Sequence, residues 1–392
     1  MFGSIYIGLS GLNAYSKGLQ QVSNNVSNLN SQGFKSSTVS FEDVVGIRGN
    51  GGLSYASSGG SGGHGVTNAG TRIDLKQGEL RQTERDLDLS VDGAGFLMLL
   101  RGEEVAYTRT GSFQVGKDGF IMLTGTEYRL AMLDASGRPV SVSVDTSSTS
   151  VPKATTKITF SDNLSSDQTT FSVNDVKVVD KNGVQRLWQV KLDRSTTATG
   201  EWTVTVRDGS TDPVGTATLK FINGIVDPST AKLTITDTRN NSQAVVLDFT
   251  TVTSFSGGTT QSLRASSVDG YKLGTITSVS VNEKGELEVG YSNEQKVQLG
   301  AIALADFRDP QALKQKSGGL FTDGGNAGRQ LLTSTDDRVG TVLSRRLEAS
   351  NVDLSREFGD LILIQRGFQA SSQIISVTND MIQQLFGIRG QG

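Results

Sequence analysis

The stretch LEASNVDLSREFGDLILIQRGFQASSQIISVTNDMI, residues 347–382, places Leu347, Leu354, Leu361, Phe368, Ile375 and Ile382 at intervals of seven. A strict seven-residue apolar period predicts a helix that packs in coiled-coil fashion. The companion line is mixed. Leu343, Ile364 and Leu385 are apolar, whereas Ser350, Glu357, Ser371 and Thr378 are polar. The seam is too broken for a free-standing zipper, so the helix needs a further surface. Asn351 or Asp353 is placed to cap its start.

The opposite end has the same character. Ile5, Leu9, Leu12, Leu19, Val22, Val26 and Leu29 recur at steps of three, four or seven, which is one stripe on a helix. Gly33 marks its stop. A helix with a single apolar stripe is marginal alone in water. The two ends can satisfy each other as an intramolecular hairpin or pack against other copies, and the pattern leaves both open. Gly8, Gly11, Gly18, Gly359 and Gly367 permit close backbone approach, at some cost in helix propensity.

Between the ends the period switches to two. Leu87, Leu89 and Val91 alternate with Asp86, Asp88 and Ser90. Trp188, Val190 and Leu192, then Trp202, Val204 and Val206, do the same. Period two predicts half-buried strands. Asp92-Gly93, Asp118-Gly119, Asn182-Gly183, Asn223-Gly224 and Asp269-Gly270 are turn dipeptides between them. The glycine-rich stretches from Gly49 to Thr71 and from Gly318 to Gly328 read as linkers. The expected class is therefore α+β. A terminal helical, coiled-coil-like domain (1–35 with 345–392) is joined through linkers (36–70 and 318–344) to two nested, mainly antiparallel β-domains. These are 71–143 with 269–317, and an insertion at 144–268.

Composition removes several functions. Lys and Arg number 37 and Asp and Glu 40, a net charge of −3 over 392 residues. There is no basic excess to neutralise a phosphate backbone, so nucleic acid is not an expected partner. No apolar run reaches the ~20 residues that cross a bilayer. Cysteine is absent, which removes disulfides, thiolate nucleophiles and thiolate metal sites. Met1 to Ala14 lacks a charged n-region and a cleavage site, so a standard secretory signal is not expected.

The sequence resembles a known family at three places. Asn24-Asn25-Val26-Ser27-Asn28 with Gly33-Phe34-Lys35 is similar to the N-terminal signature of the flagellar rod and hook axial proteins. Ser350-Asn351-Val352-Asp353-Leu354-Ser355 and Gln365-Arg366-Gly367-Phe368-Gln369-Ala370 are similar to the C-terminal one. Residues 87–96, followed by Tyr107-Thr108-Arg109-Thr110-Gly111-Ser112-Phe113, resemble the start of the shared β-domain. The added segment from about Val144 to Val268 resembles the hook members rather than the shorter rod members. So do Phe171-Ser172-Val173-Asn174-Asp175, residues 252–258 and Asp353. Gly367 and Phe368 stand where an Ala-Tyr pair is more usual.

The resemblance implies a structural subunit of the hook, polymerising into a flexible tube that passes motor torque from rod to filament. It implies as partners further copies of the chain, the rod, hook-cap and hook–filament junction proteins, and the flagellar type III export apparatus. It implies an extracellular hook location, reached without a cleaved signal peptide. The residues expected to carry subunit assembly are Leu9, Leu12, Leu19, Val22, Asn24, Asn25, Val26 and Asn28 at one end. At the other they are Leu354, Leu361, Phe368, Ile375 and Ile382. From pattern alone the Asn cluster is equally a solvated helix face. The terminal helices are expected on the inside of the tube. The inserted domain is expected outside, its apolar face filling its own core and its outer face polar. A rod subunit is the alternative within the family, and a surface adhesin or carbohydrate-binding β-protein the alternative outside it.

No catalytic, cofactor or metal site is expected. Gly60-Ser61-Gly62-Gly63-His64-Gly65 fits a dinucleotide-binding spacing but has neither the strand before it nor the helix after it. His64 is the single histidine and stands on that linker without a partner for general-base chemistry. Glu283, Glu286 and Glu288 lack the spacing of a calcium loop. Trp188 and Trp202 sit in alternating strands, where core packing is expected rather than a sugar platform.

Overall fold

A computed structural model describes residues 2–43, 65–134, 136–209, 212–239, 242–257 and 262–389. Helix α1 (Phe2–Ser27) and helix α2 (Leu354–Arg389) stand at the two ends of the chain, with strands between them. The α+β class read from the sequence holds. α2 begins where Asp353 folds its carboxylate back on the helix. Its Oδ1 accepts the N–H of Ser355 at 2.9 Å and of Arg356 at 3.3 Å, which satisfies donors that a helix start leaves unpaired. The heptad is one member shorter than it reads. Leu347 lies in the strand Arg346–Glu348, paired with the strand Leu80–Gln82, so the apolar period runs on past the end of the helix.

The described chain forms two compact units. One comprises Met1–Asp145, Val279–Glu288 and Gln298–Gly392; the other comprises Thr146–Ser278 and Val289–Val297. The insertion thus continues past its expected end at Val268 and takes in residues from 289 to 297 as well.

In the first unit an antiparallel path runs through Leu313–Lys316, Leu320–Asp323, Glu104–Thr108, Phe96–Arg101, Arg129–Leu133, Ile121–Leu123, Thr110–Val115, Asp88–Asp92 and Thr341–Ser344. The run Phe96-Leu97-Met98-Leu99 is apolar throughout because both sheet faces are covered. Leu97 and Leu99 enter one core with Leu89, Val91 and Phe113. Phe96 and Met98 enter another with Tyr107, Phe307 and Phe321.

Both expected linkers contain strands. β1 (Ser37–Asp43) and β2 (Val66–Ile73) form an antiparallel hairpin, with Ser37 opposite Ile73 and Asp43 opposite Val66. The glycine-rich remainder, with His64, lies outside the described residues. Within 318–344, Leu320–Asp323, Arg329–Thr333 and Thr341–Ser344 all belong to the sheet. Gly318 and Gly319 there have φ of +80° and +70° and turn Leu313–Lys316 into Leu320–Asp323. These glycines supply a left-handed turn rather than flexibility.

The second unit pairs Thr170–Val179, Gln185–Arg194, Glu201–Arg207, Gly215–Ile222 and Ile225–Val226 in one sheet. Lys232–Asp237, Gln243–Asp248, Lys157–Ser161 and Arg264–Val268 form another. One of these pairings, Lys157–Ser161 with Gln243–Asp248, is parallel. Trp188 and Trp202 are each 2% exposed in its core, and Phe160 stacks on Phe249 at 4.5 Å. Its outer face is not wholly polar. Ile222, Ile225 and Phe255 are exposed around the Asn223-Gly224 turn, while Val151, Val184 and Leu273 are exposed elsewhere on the unit. The turns carrying Ile225 and Val184 lie at opposite ends of the five-stranded sheet, as its registers require.

Candidate functional site

The terminal helices pack on each other through small side chains. The buried face of α1 is Gly8, Gly11, Ala14, Gly18, Val22 and Asn25, at steps of three and four. A Cβ on Gly8 would stand 2.7 Å from Ile375 Cγ1. On Gly11 it would stand 2.5 Å from Ser371 Oγ, and on Gly18 3.1 Å from Ile364 Cδ1. Contact this close excludes larger residues at these three positions of α1. α2 answers with its companion line: Glu357, Ser371 and Thr378 are buried and Ile364 is half-buried. Gly367 meets the Tyr15 ring; Gly359 faces open space.

This arrangement changes where the expected assembly residues stand. Leu9 is 54% exposed, Leu19 38%, Leu354 38% and Phe368 43%. Leu12, Val26, Leu361, Ile375 and Ile382 are half-buried, and Val22 alone of the apolar set is buried. Ile364 and Ile375 reach into the seam against Gly18 and Gly8, while most of the large apolar side chains flank it. Tyr6, Ile374, Val377, Met381 and Leu385 add to the exposed apolar surface, each more than two-fifths exposed.

The Asn cluster divides. Asn24 is exposed and Asn28 half-buried at the helix end. Asn28 Nδ2 donates to the Asn24 carbonyl at 2.9 Å and to its Oδ1 at 3.1 Å. Asn25, 1% exposed, joins three elements. Its Nδ2 donates to Ser37 O on β1 and to Glu357 Oε1 on α2, both at 2.9 Å. Its Oδ1 accepts the Ser37 N–H at 3.1 Å. Burial pushes the Glu357 carboxyl above its ordinary value; the Asn25 donor opposes this, and Asp360 adds to it. Asn351 does not cap α2. Its Oδ1 accepts the Ser36 N–H at 2.7 Å, and its Nδ2 donates to Asp74 O and Lys76 O. It stitches the N-terminal segment to the approach of α2.

Residues 343–388, almost all of α2 and its approach, match the family model for the flagellar basal body rod FlgEFG protein C-terminal region. The flagellar hook protein FlgE of Salmonella typhimurium is 30% identical over 97% of this chain and 98% of its own length. The chain belongs to the flagellar hook protein family. The hook protein FlgE of Borreliella burgdorferi is 28% identical over 99% of this chain and 100% of its own. A crystal structure of Helicobacter pylori flagellar hook protein FlgE2 has 12% identity and a TM-score of 0.45, over 69% of this chain and 99% of that one. As a hook family member the chain is a structural subunit of the flagellar hook, and the rod reading gains no better support.

Two features of this hook subunit escaped the sequence pattern. The small-residue seam carries no weight in a hydrophobic period, although the glycine spacing hinted at close approach. The buried charges Lys35, Arg109 and Glu348 carry no pattern signal, because nothing in the chain order brings them together. Among the described residues no group of three or more His, Cys, Asp or Glu is placed to hold a metal, and no helix is long and apolar enough to cross a membrane.

Proposed function

We propose that the chain polymerises into a tubular, flexible joint through the large apolar side chains that the terminal helices leave exposed. The observation that carries this reading is the inversion of the helix pair. Gly8, Gly11, Gly18, Ser371 and Thr378 are inside, while Leu9, Phe368, Ile374, Val377 and Leu385 face out. Fully burying one such side chain is worth roughly 1.5–3 kcal/mol. A patch of this extent on a soluble chain marks a binding surface. Further copies of the chain are its natural cover, since the same helix-pair surface on every subunit repeats along a helical array. In this reading the helices form the inner wall, and the second unit stands outside and sets how subunits slide. The rod, hook-cap and hook–filament junction proteins contact the ends of the polymer. The type III apparatus exports the chain without signal cleavage. The joint transmits torque and performs no chemistry.

The test is assembly of purified full-length chain carrying Phe368→Ser with Val377→Ser, followed by electron microscopy and sedimentation. Loss of tubes with unchanged melting of the second unit is expected. Tubes of normal yield from this variant would overturn the reading.

A further inference from the structure

Glu348 is wholly buried and stands between two buried cations. The Lys35 side chain is likewise inaccessible, and its Nζ donates to Glu348 Oε1 at 2.5 Å and to Lys76 O at 2.7 Å. Oε1 also accepts the Gly78 N–H at 2.7 Å. The other oxygen, Oε2, has no hydrogen-bond partner. It lies 3.7 Å from Arg109 Nε, itself without a hydrogen-bond partner. The terminal nitrogens of Arg109 donate to the carbonyls of Gly95, at 2.8 Å, and Gly93. Burial pushes both cations below their ordinary values, and Glu348 opposes this at each.

The three charges come from segments of different standing. Arg109, Gly78 and Glu348 belong to the β-body: the strand carrying Glu348 pairs with Leu80–Gln82, and its N–H donates to Thr110 Oγ1 at 3.0 Å. Lys35 belongs to the N-terminal segment, which continues through Ser36 and Ser37 to the Asn351 and Asn25 contacts and so to α1. A buried carboxylate without a cation is strongly destabilising. One that faces a spare, half-engaged guanidinium avoids that cost.

We propose that Glu348 is a two-position carboxylate that Lys35 holds when the N-terminal segment is seated and that passes to Arg109 when the segment leaves. The carboxylate has a short way to go, since Oε2 already stands 3.7 Å from Arg109 Nε. The body then stays folded while α1 changes partners, and Lys35 is the latch that seats residues 33–43 on the body. This goes beyond the assembly reading, because it concerns the subunit before its helices are covered.

The experiment is peptide-resolved hydrogen exchange on dilute full-length monomer of Lys35→Met, Arg109→Met, the double variant, and the double variant with Glu348→Gln. Lys35→Met is expected to speed exchange in residues 33–43 about tenfold or more and to leave Phe96–Arg101 protected. The double variant should lose protection at Phe96–Arg101 by far more than the two single losses combined. Glu348→Gln should restore much of it, because the stranded charge is gone. Three outcomes overturn the proposal: Lys35→Met alone unprotecting the body as much as the double variant, additive losses, or unchanged exchange in residues 33–43 of Lys35→Met.

Discussion

Gly367 of α2 faces the Tyr15 ring of α1 so closely that a Cβ at Gly367 would overlap Tyr15 Cζ. Tyr15 in turn packs on Phe41 of β1, ring centroids 5.8 Å apart, a contact the ring would have to give up to make way for a Cβ at Gly367. Gly367→Ala should therefore destabilise the helix pair although alanine is the better helix former by about 1 kcal/mol. Overpacking of this kind typically costs about 1–3 kcal/mol. The check is the helical circular-dichroism melt of Gly367→Ala against Gly367→Ala with Tyr15→Leu. Recovery in the second variant is expected, and its absence would place the strain elsewhere.

The same contact shows what was legible in the chain and what was not. A period of seven in α2 and of two in the strands follows from residue types alone, so helix ends and a β-middle could be read directly. Which face of each helix is covered could not. Period locates a stripe of large apolar residues, but Leu9 and Phe368 belong to that stripe and stand exposed, while Gly11 and Ser371 meet in the seam. The glycines from Gly318 to Gly328 read as a linker, whereas Gly318 and Gly319 stand in left-handed conformation and make a turn between paired strands. Lys35 and Glu348, 313 residues apart, have no local signal at all.

Glu357 makes the helix clamp sensitive to acid in an unusual direction. Its carboxyl is raised above the ordinary 4.5 by burial, against the Asn25 donor and Arg356, with Asp360 and Asp353 adding to the rise. A raised carboxyl binds its proton more tightly in the folded than in the unfolded chain. Stability of the α1–α2 contact should thus increase as pH falls through the raised value, with the gain complete below about 4.5. Asn25→Asp removes the donor that Ser37 O and Glu357 share and sets a second carboxylate beside Glu357. It should weaken the clamp by about 1–3 kcal/mol near neutrality and recover on acidification. Hydrogen exchange of residues 20–27 between about pH 7 and about pH 4.5 reads both effects; a loss in Asn25→Asp that does not vary with pH would contradict them.

The last expectation concerns the second unit. If its role is to govern sliding between neighbours, its removal should alter the polymer without abolishing it. The unit boundaries define the deletion: Thr146–Ser278 must go together with Val289–Val297. Otherwise strand ends that pair within the second unit are left bare, an invitation to edge-to-edge aggregation. An Asn-Gly turn can join Glu288 to Gln298, which lie in neighbouring strands, and a short Gly-Ser linker can join Asp145 to Val279. The first unit keeps its own cores, including Val281 and Leu287, and should fold. Tubes should still form through the exposed helix side chains. Their bending should change, because the deletion takes away the exposed Ile222, Ile225 and Phe255 at one end of the five-stranded sheet and Val184 at the other. Ile225→Asp in the full chain is the milder version and should shift stiffness in the same sense, with the melting of the second unit preserved. Persistence length measured on electron micrographs distinguishes the cases. A folded deletant that forms no tubes would show that assembly does not reside in the terminal helices.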